Sequence, residues 1–295
     1  MTGLRIVHVS DTHLSRTHAY FYDNWRVFVD AMIADPPDLI IHTGDISLNG
    51  MHQPDDLTFS RQELARLPGR VAILPGNHDI GDNPPDRGTG HAVDEDRRRR
   101  WLDLFGPDWW SLDLEEWRII GLNSQLLDSG LPSEREQWEW FEAMLADRDG
   151  KRTLVFLHKP LCYHDMAEPK VASYCLHPNV RHAMTALLER HGVSLVASGH
   201  LHTYRVMDHA GLNMVWAPAT AFINTAERGR PPLTSTRRPG YLEFRLTDAG
   251  AEHAFIEPPL FIAHDVRNWS MKSGSTYNLP PRPLTGGWGG FAAES

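Results

Sequence analysis

Residues 4–14 of this chain are Leu-Arg-Ile-Val-His-Val-Ser-Asp-Thr-His-Leu, an apolar run that ends in the polar triplet Asp11-Thr12-His13. A short apolar run that stops at turn-forming residues is typical of a buried β-strand. Residues two apart on an extended chain share a face, so Asp11 and His13 are expected to turn towards one point. The segment therefore predicts a strand that delivers a carboxylate and an imidazole at its carboxyl end.

The same pattern occurs four more times along the chain. Apolar runs at 39–41, 71–74, 154–157 and 195–197 precede Gly44-Asp45, Gly76-Asn77-His78-Asp79, His158 and Gly199-His200-Leu201-His202. Ligands of open α/β sheets bind outside the carboxyl ends of the strands, so five such strands would gather these side chains along one edge. Carboxylate, amide and imidazole groups together suit a pair of divalent transition-metal ions. The sequence therefore predicts a two-metal hydrolase.

Helical patterns separate the first strands, with helices predicted over 22–34 and 54–67. Alternating strands and helices are typical of βαβ units with a parallel core. Later strands, predicted over 204–208, 212–216, 241–246 and 252–256, are expected to be antiparallel. The expected fold class is α/β, a four-layer α/β/β/α sandwich of two mixed β-sheets flanked by helices.

Composition divides the chain into two parts. Residues 1–257 are expected to form the catalytic domain. Residues 258–295 are rich in Pro, Gly, Ser and Asn, which is typical of an extended arm or a partly disordered tail. This tail is expected to pack on a partner subunit or over the cleft, and a homodimer or higher homo-oligomer would supply the partner.

Charge and composition argue against several classes of function. The chain has 295 residues and a formal net charge of −9, which argues against a partner that is a nucleic-acid polymer. No apolar run approaches the length of a membrane span, so no membrane partner is expected. The first strand begins at Leu4 and leaves no room for a signal peptide, which predicts a cytoplasmic location. The two cysteines, Cys162 and Cys175, are expected to be free thiols.

The five motifs, D-x-H, G-D, G-N-H-D, H and G-H-x-H in that order, resemble the calcineurin-like metallophosphoesterase superfamily over residues 4–216. The resemblance implies the metallo-dependent phosphatase fold and a binuclear metal centre. It implies one metal held by Asp11, His13, Asp45 and His202, and a second held by Asp45, Asn77, His158 and His200, with Asp45 bridging. It further implies that His78 faces the substrate phosphate and that Asp79 orients His78.

Differences from the motifs of other branches of the superfamily narrow the choice of branch for this chain. Leu48 stands where purple acid phosphatases place a tyrosine ligand, and His78 stands where the lipid-A pathway pyrophosphatases have arginine. The remaining pattern resembles the class III cyclic nucleotide phosphodiesterase and glycerophosphodiesterase branch. Lys159 departs from that branch, which commonly has a second histidine before the proline. It is either a contact for an anionic substrate or a solvated lysine, and the second interpretation is favoured.

The resemblance implies hydrolysis of small phosphodiesters, with cyclic nucleotides the leading candidates, by attack of a metal-bound hydroxide on phosphorus. His78 would stabilise the transition-state charge or protonate the leaving group. The expected cofactors are two divalent or mixed-valence transition-metal ions, Mn or Fe or both, with Zn, Co and Ni as alternatives. Three other functions stay open: a phosphomonoesterase on the same site, a non-catalytic scaffold and a nuclease.

Three weaker features also carry interpretations. Residues 97–100 are four arginines within a predicted helix over 92–105, and they are expected to form a solvated, charge-paired surface. A helix over 133–145 is predicted to open with a capping box from Ser133 to Glu136. Asn123, at the end of a predicted strand, is a candidate lining residue of the cleft.

Overall fold

Strand β1 (Leu4–Val9) alternates its side chains between two buried layers. Ile6 packs between the two sheets of the fold, whereas Val7 and Val9 pack against helices. Successive side chains of a strand point to opposite faces, so a strand buried on both faces is largely apolar. The computed structural model describes residues 3–83, 88–147, 149–169, 172–225, 233–266 and 280–285.

The first sheet is built around β1. Its strands, in spatial order, are β11 (Gly250–Ile256), β10 (Tyr241–Thr247), β1, β2 (Leu39–His42) and β3 (Val71–Ile73). Strands β1, β2 and β3 run parallel to one another, whereas β10 pairs antiparallel with β1 and with β11. The sheet is therefore mixed, and β1, β2 and β3 end at the same edge.

The second sheet has a parallel centre with an antiparallel strand on each side. Its strands, in spatial order, are β4 (Trp110–Leu114), β5 (Trp117–Gly121), β6 (Arg152–Phe156), β7 (Leu195–Ser198), β9 (Leu212–Trp216) and β8 (Arg205–His209). Strands β4 and β8 are antiparallel to their neighbours. The expectation that β9 is antiparallel is confirmed for its pairing with β8, but β9 pairs in parallel with β7 on its other side.

Helices cover the outer face of each sheet. They are α1 (Tyr22–Ala34), α2 (Pro54–Leu64), the single turn α3 (Asn77–Ile80), α4 (Glu95–Phe105), α5 (Pro132–Ala146) and α6 (Pro178–Arg190). Trp25 of α1 and Trp101 of α4 belong to the core on the outer face of the first sheet, and Phe141 of α5 to that of the second. Ile41 and Phe156 belong to the core between the sheets. The predicted four-layer α/β/β/α sandwich is confirmed.

Helix α4 begins at Glu95, three residues later than predicted, because Asp94 caps it. The Asp94 carboxylate accepts a hydrogen bond from Arg97 N at 2.8 Å. Charge pairing is confirmed for two of the arginines, since Arg97 lies 3.5 Å from Asp94 and Arg98 lies 3.5 Å from Glu95. The expected solvation is wrong for both, because each of these side chains is only 13% exposed. Arg98 also reaches Asp108 at 2.8 Å.

Helix α5 does not open with the predicted capping box. Leu131 is its N-cap and Pro132 its first residue, where the missing N–H of proline would have no partner. Ser133 therefore lies inside the helix, and its hydroxyl donates to Glu95 at 2.8 Å. The capping-box prediction is wrong, and Ser133 instead joins α5 to α4.

The described parts of the tail contact their own chain. Asp265 pairs with Ile223 and Arg282 pairs with His18 in isolated β-bridges. Val266 is buried. The remainder of residues 258–295, including the segment predicted as a partner-binding arm beyond residue 266, lies outside the described residues apart from 280–285.

Two further findings bear on the composition arguments. Among the described helices, none combines the length and apolar character needed to cross a membrane. Cys162 and Cys175 are buried free thiols, as predicted. Burial, together with the Glu168 carboxylate, raises the pKa of each thiol to about 12, so both are protonated and unreactive near neutral pH.

Candidate metal centre

The loops that follow β1, β2, β3, β6 and β7 meet at one edge between the two sheets, and all seven sequence-predicted ligands lie there. The ligand atoms of Asp11, His13, Asp45 and His202 lie within 4.8 Å of one another, as do those of Asp45, His158 and His200. These are called the first and second groups. Asn77 Oδ1 lies 3.1 Å from His158 Nε2, beside the second group.

The backbone of these loops is strained. Five of the residues have a positive φ: Asp11 (56°), His13 (45°), Asp45 (51°), His200 (69°) and His202 (52°). This conformation costs about 1–2 kcal/mol at a non-glycine residue, and surrounding structure must hold it in place. Asp11 N donates to Gly44 O and His13 N donates to Asp45 O, each at 3.0 Å. These hydrogen bonds fix the turns that direct the side chains to one point.

Main-chain carbonyls orient three of the histidine rings. His202 Nδ1 donates to Phe222 O at 2.9 Å, and His158 Nδ1 donates to Thr43 O at 2.8 Å. His200 Nε2 donates to Ser173 O at 2.9 Å. A carbonyl oxygen only accepts, so each of these ring nitrogens carries the proton. The other nitrogen of each ring faces the two groups, as in histidines that bind metals.

The groups require positive charge. Burial opposes the charge on His158, but the Asp45 carboxylate outweighs it and raises the pKa of His158 to about 9. In the same way, Asp11 raises the pKa of His202 against the effect of burial.

Ring nitrogens also approach each other, since His202 Nε2 lies 3.3 Å from His13 Nε2. Facing lone pairs and buried carboxylates at such distances need a proton or a metal ion between them. This donor set therefore fits metal cations.

Asp45 lies between the two groups. Its Oδ2 is 3.8 Å from His13 Nε2 of the first group, and its Oδ1 is 3.4 Å from His158 Nε2 of the second. The Asp45 side chain is only 2% exposed, and Oδ1 accepts a hydrogen bond from His78 N at 2.8 Å. A fixed carboxylate that presents one oxygen to each group is suited to bridging two cations.

His78 lies beside the first group, but Asp79 does not hold it in the way the resemblance implies. His78 Nδ1 donates to Leu48 O at 2.6 Å. The Asp79 carboxylate instead accepts from Ile46 N, Ser47 N and Gly76 N. Asp79 thus organises the loops around Asp45, and the expectation that it orients His78 is corrected.

Two other candidates have structural partners. Lys159 is fully buried, and its Nζ pairs with the Asp82 carboxylate and donates to Asn83 O at 2.7 Å. The favoured interpretation of a solvated lysine is wrong, and Lys159 does not face a cleft. Asn123 is also fully buried and donates to Asp108 at 2.8 Å, so it does not line a cleft either.

The residues that orient the histidine rings were not among the predicted site residues. They are Thr43, Leu48, Ser173 and Phe222. Each acts through its main-chain carbonyl, a group that every residue has, so the sequence carries no signal for this role. The Phe222 side chain adds a ring contact, with its centroid 4.2 Å from that of His202.

Gly44 permits a close approach of two ligand loops, and its replacement is a test of the geometry. Gly44 has a φ of 104°, and a Cβ there would lie 2.5 Å from Gly76 N. Gly44→Ala is therefore expected to push apart the loops of Asp45 and Asn77. We expect it to cost about 2–4 kcal/mol of unfolding free energy in urea and to weaken Mn²⁺ binding measured by titration.

Gly69→Ala is the matched control for this prediction. Gly69 also has a positive φ, 69°, but a Cβ there would meet only Pro37 O, at 3.8 Å. Gly69→Ala should lower the unfolding free energy only by the backbone strain, about 1–2 kcal/mol, and leave Mn²⁺ binding unchanged. Equal losses in the two variants would contradict the role given to crowding at Gly44.

This fold combines two mixed sheets with paired Asp/His groups, suited to metal ions, at one edge. The model of the calcineurin-like phosphoesterase family matches residues 4–204. The chain belongs to this family, which confirms the resemblance noted from its motifs.

Relatives and solved structures agree with the family. Over 174 residues the chain is 29% identical to the probable glycerophosphodiester phosphodiesterase GpdQ of Arcobacter nitrofigilis, a match that covers 52% of this chain and only 56% of that protein. It is 26% identical to the 3′,5′-cyclic adenosine monophosphate phosphodiesterase CpdA of Escherichia coli, covering 74% of this chain and 76% of that protein. These names support the class III branch. A dimetal phosphatase from Danio rerio has the same fold, with a TM-score of 0.61, 16% identity and coverage of 87% and 99%.

Proposed function

We propose that this chain is a binuclear metal-dependent phosphodiesterase that hydrolyses small phosphodiesters, with cyclic nucleotides the leading candidates. The observation that carries the proposal is that Asp45 presents one carboxylate oxygen to each of two ligand groups. In the proposal Asp11, His13, Asp45 and His202 hold one ion. Asp45, Asn77, His158 and His200 hold the other. Mn and Fe are the proposed metals.

Two bound cations would supply Lewis-acid chemistry, polarising the phosphoryl group and lowering the pKa of a water molecule. The chain's own residues supply the rest. Asp11 and Asp45 balance the cationic charge, and the carbonyls of Phe222, Thr43 and Ser173 keep the rings in the orientation that presents a lone pair.

His78 is the proposed proton donor to the leaving oxygen. Leu48 O accepts from its Nδ1, which leaves Nε2 on the side of the ring that faces Asp45, 3.9 Å from Oδ2. The His78 side chain is 13% exposed, whereas those of His13 and His158 are fully buried. His78 can therefore meet a substrate at the mouth of the site, and a protonated Nε2 there can stabilise or protonate the departing alkoxide.

The substrate class comes from the relatives and is part of the proposal. One relative is named as a glycerophosphodiester phosphodiesterase and another as a cyclic nucleotide phosphodiesterase. Both names denote small diesters with a single phosphate. The net charge of −9 also argues against a long polyanionic substrate.

The proposal is tested by paired turnover of a bis-aryl phosphate diester and the matching aryl phosphate monoester. The protein is stripped of metal and reconstituted with Mn²⁺, and the stripped protein without added metal is the control. We expect cleavage of the diester at least about tenfold faster than cleavage of the monoester, and no cleavage by the stripped protein.

A preference for the monoester would replace the proposal with a phosphomonoesterase on the same site. Two bound ions with no turnover of either ester, or of a panel of cyclic nucleotides and glycerophosphodiesters, would favour the non-catalytic scaffold.

A further inference from the structure

We propose that the C-terminal segment 258–266 supports metal binding at the first group, because it positions Phe222 against two ligands of that group. The inference rests on the metal centre of the proposed function. It gives a role to a stretch that lies beyond the 4–204 region matched by the family model. Three connected sets of hydrogen bonds and ring contacts, together with apolar packing around Phe222, link the segment to the ligands.

The first set joins the segment to the loop after β9. Ile223 N donates to His264 O at 3.0 Å, and Val266 N donates to Ile223 O at 3.1 Å. The Asp265 carboxylate accepts from Thr225 N at 3.3 Å and from Thr225 Oγ1 at 2.5 Å. The segment therefore forms a short β-bridge with the residue that directly follows Phe222.

A second set clamps the same two stretches through Asn24 of α1, which is fully buried. Its side-chain amide donates to Thr220 O at 2.8 Å and to Ile262 O at 2.9 Å. Its Oδ1 accepts from Ile262 N at 2.8 Å. One side chain thus ties the β9 loop on one side of Phe222 to the C-terminal segment.

Apolar packing completes this arrangement. Phe222 is only 7% exposed and belongs to a small core cluster with Phe21, Leu48, Ala221 and Val266. Its ring centroid lies 4.9 Å from that of Phe21. Val266 comes from the C-terminal segment, so loss of the segment would uncover this cluster and free the Phe222 ring.

The third set joins Phe222 to the ligands. Its carbonyl accepts from His202 Nδ1 at 2.9 Å, and its ring centroid lies 4.2 Å from that of His202 and 4.8 Å from that of His13. Ala221 N also donates to Asp11 O at 3.1 Å. All these contacts fall on the first group.

The second group takes its orientation from other carbonyls. His158 donates to Thr43 O and His200 donates to Ser173 O. Neither carbonyl belongs to the β9 loop or to the C-terminal segment. A disturbance of the segment is therefore expected to weaken the first metal site and to spare the second, which a general loss of folding would not do.

The test is Asp265→Ala in the full chain, read out as Mn²⁺ affinity in two backgrounds. His200→Ala leaves the first group intact, and His202→Ala leaves the second group intact. In the His200→Ala background we expect Asp265→Ala to weaken Mn²⁺ binding about tenfold, the lower end of the usual effect of losing a group that orients a ligand. In the His202→Ala background the affinity should not change.

Two further variants make the result decisive. Asp103→Ala removes an exposed carboxylate from α4 and should change neither affinity. Thr225→Val removes one of the two hydrogen bonds to Asp265, so it should give a smaller loss in the same background and serves if Asp265→Ala fails to fold.

An equal loss in both backgrounds, or none in either, would overturn the inference. The titration needs no substrate. A wild-type chain that binds two ions but cleaves neither aryl ester nor any cyclic nucleotide or glycerophosphodiester of the panel would refute the proposed function and leave this inference standing.

Discussion

Asp45→Ala is expected to abolish binding of both metal ions and, with it, phosphoester hydrolysis. Its carboxylate faces both groups, with Oδ2 3.8 Å from His13 Nε2 and Oδ1 3.4 Å from His158 Nε2. Removing it leaves five imidazole and amide donors with one carboxylate, Asp11, to balance two dications. The measurement is the number of Mn²⁺ ions retained per chain after dialysis, together with diester turnover, which should fall by more than about 10⁴-fold.

The matched control is Asp56→Ala. Asp56 is also a buried carboxylate, at 3% exposure, but it belongs to α2 and to neither ligand group. We expect that variant to retain both ions and to lose stability only. If Asp45→Ala still held two ions per chain, the bridging role would have to be abandoned.

His78→Ala is expected to separate metal binding from catalysis. His78 belongs to neither ligand group, but its ring packs edge-on against His13 with 4.5 Å between the centroids. Loss of the proposed proton donor should lower kcat on the diester by about 10²–10⁴-fold while two Mn²⁺ ions remain bound. A larger loss on substrates with poor leaving groups is expected, because those depend most on protonation of the leaving oxygen.

His182→Ala provides the comparison, since His182 is exposed on α6 and belongs to neither ligand group. It should change neither metal content nor turnover. Unchanged diester turnover in His78→Ala would remove His78 from the mechanism, whereas loss of metal would assign it a structural role beside His13.

The sequence predicts the strands and the ligand loops well, and the reason is physical. A strand buried on both faces must be largely apolar, so runs such as 39–41 and 195–197 stand out against polar neighbours. The turns after them adopt positive φ and carry the proposed metal ligands, which leaves little choice of residue. The ends of helices are less constrained, and α2 ends at Leu64 rather than at residue 67.

What the sequence could not predict depends on tertiary partners. Lys159 was expected at the surface, but it is buried because it pairs with Asp82, which is distant in the sequence. The resemblance implied that Asp79 orients His78, but the turn of α3 directs the Asp79 carboxylate to the main chain at Ser47 and Gly76 instead. Ser133 likewise is a residue type that often caps helices, yet its hydroxyl donates a hydrogen bond to Glu95 of another helix.

The two ligand groups combine side chains that follow both sheets of the sandwich. The concentration of the metal ion is therefore expected to affect the unfolding free energy as well as the activity. Asp11 and Asp45 follow strands of the first sheet, whereas His158 and His202 follow strands of the second. Ions bound there as proposed would bind only the state in which the two sheets are packed together, so by mass action an ion at 100 times its dissociation constant would add about 2.7 kcal/mol to the unfolding free energy. A low concentration of the ion would therefore increase the population of chains in which the two sheets have separated. Such chains are open to proteolysis, in addition to being inactive.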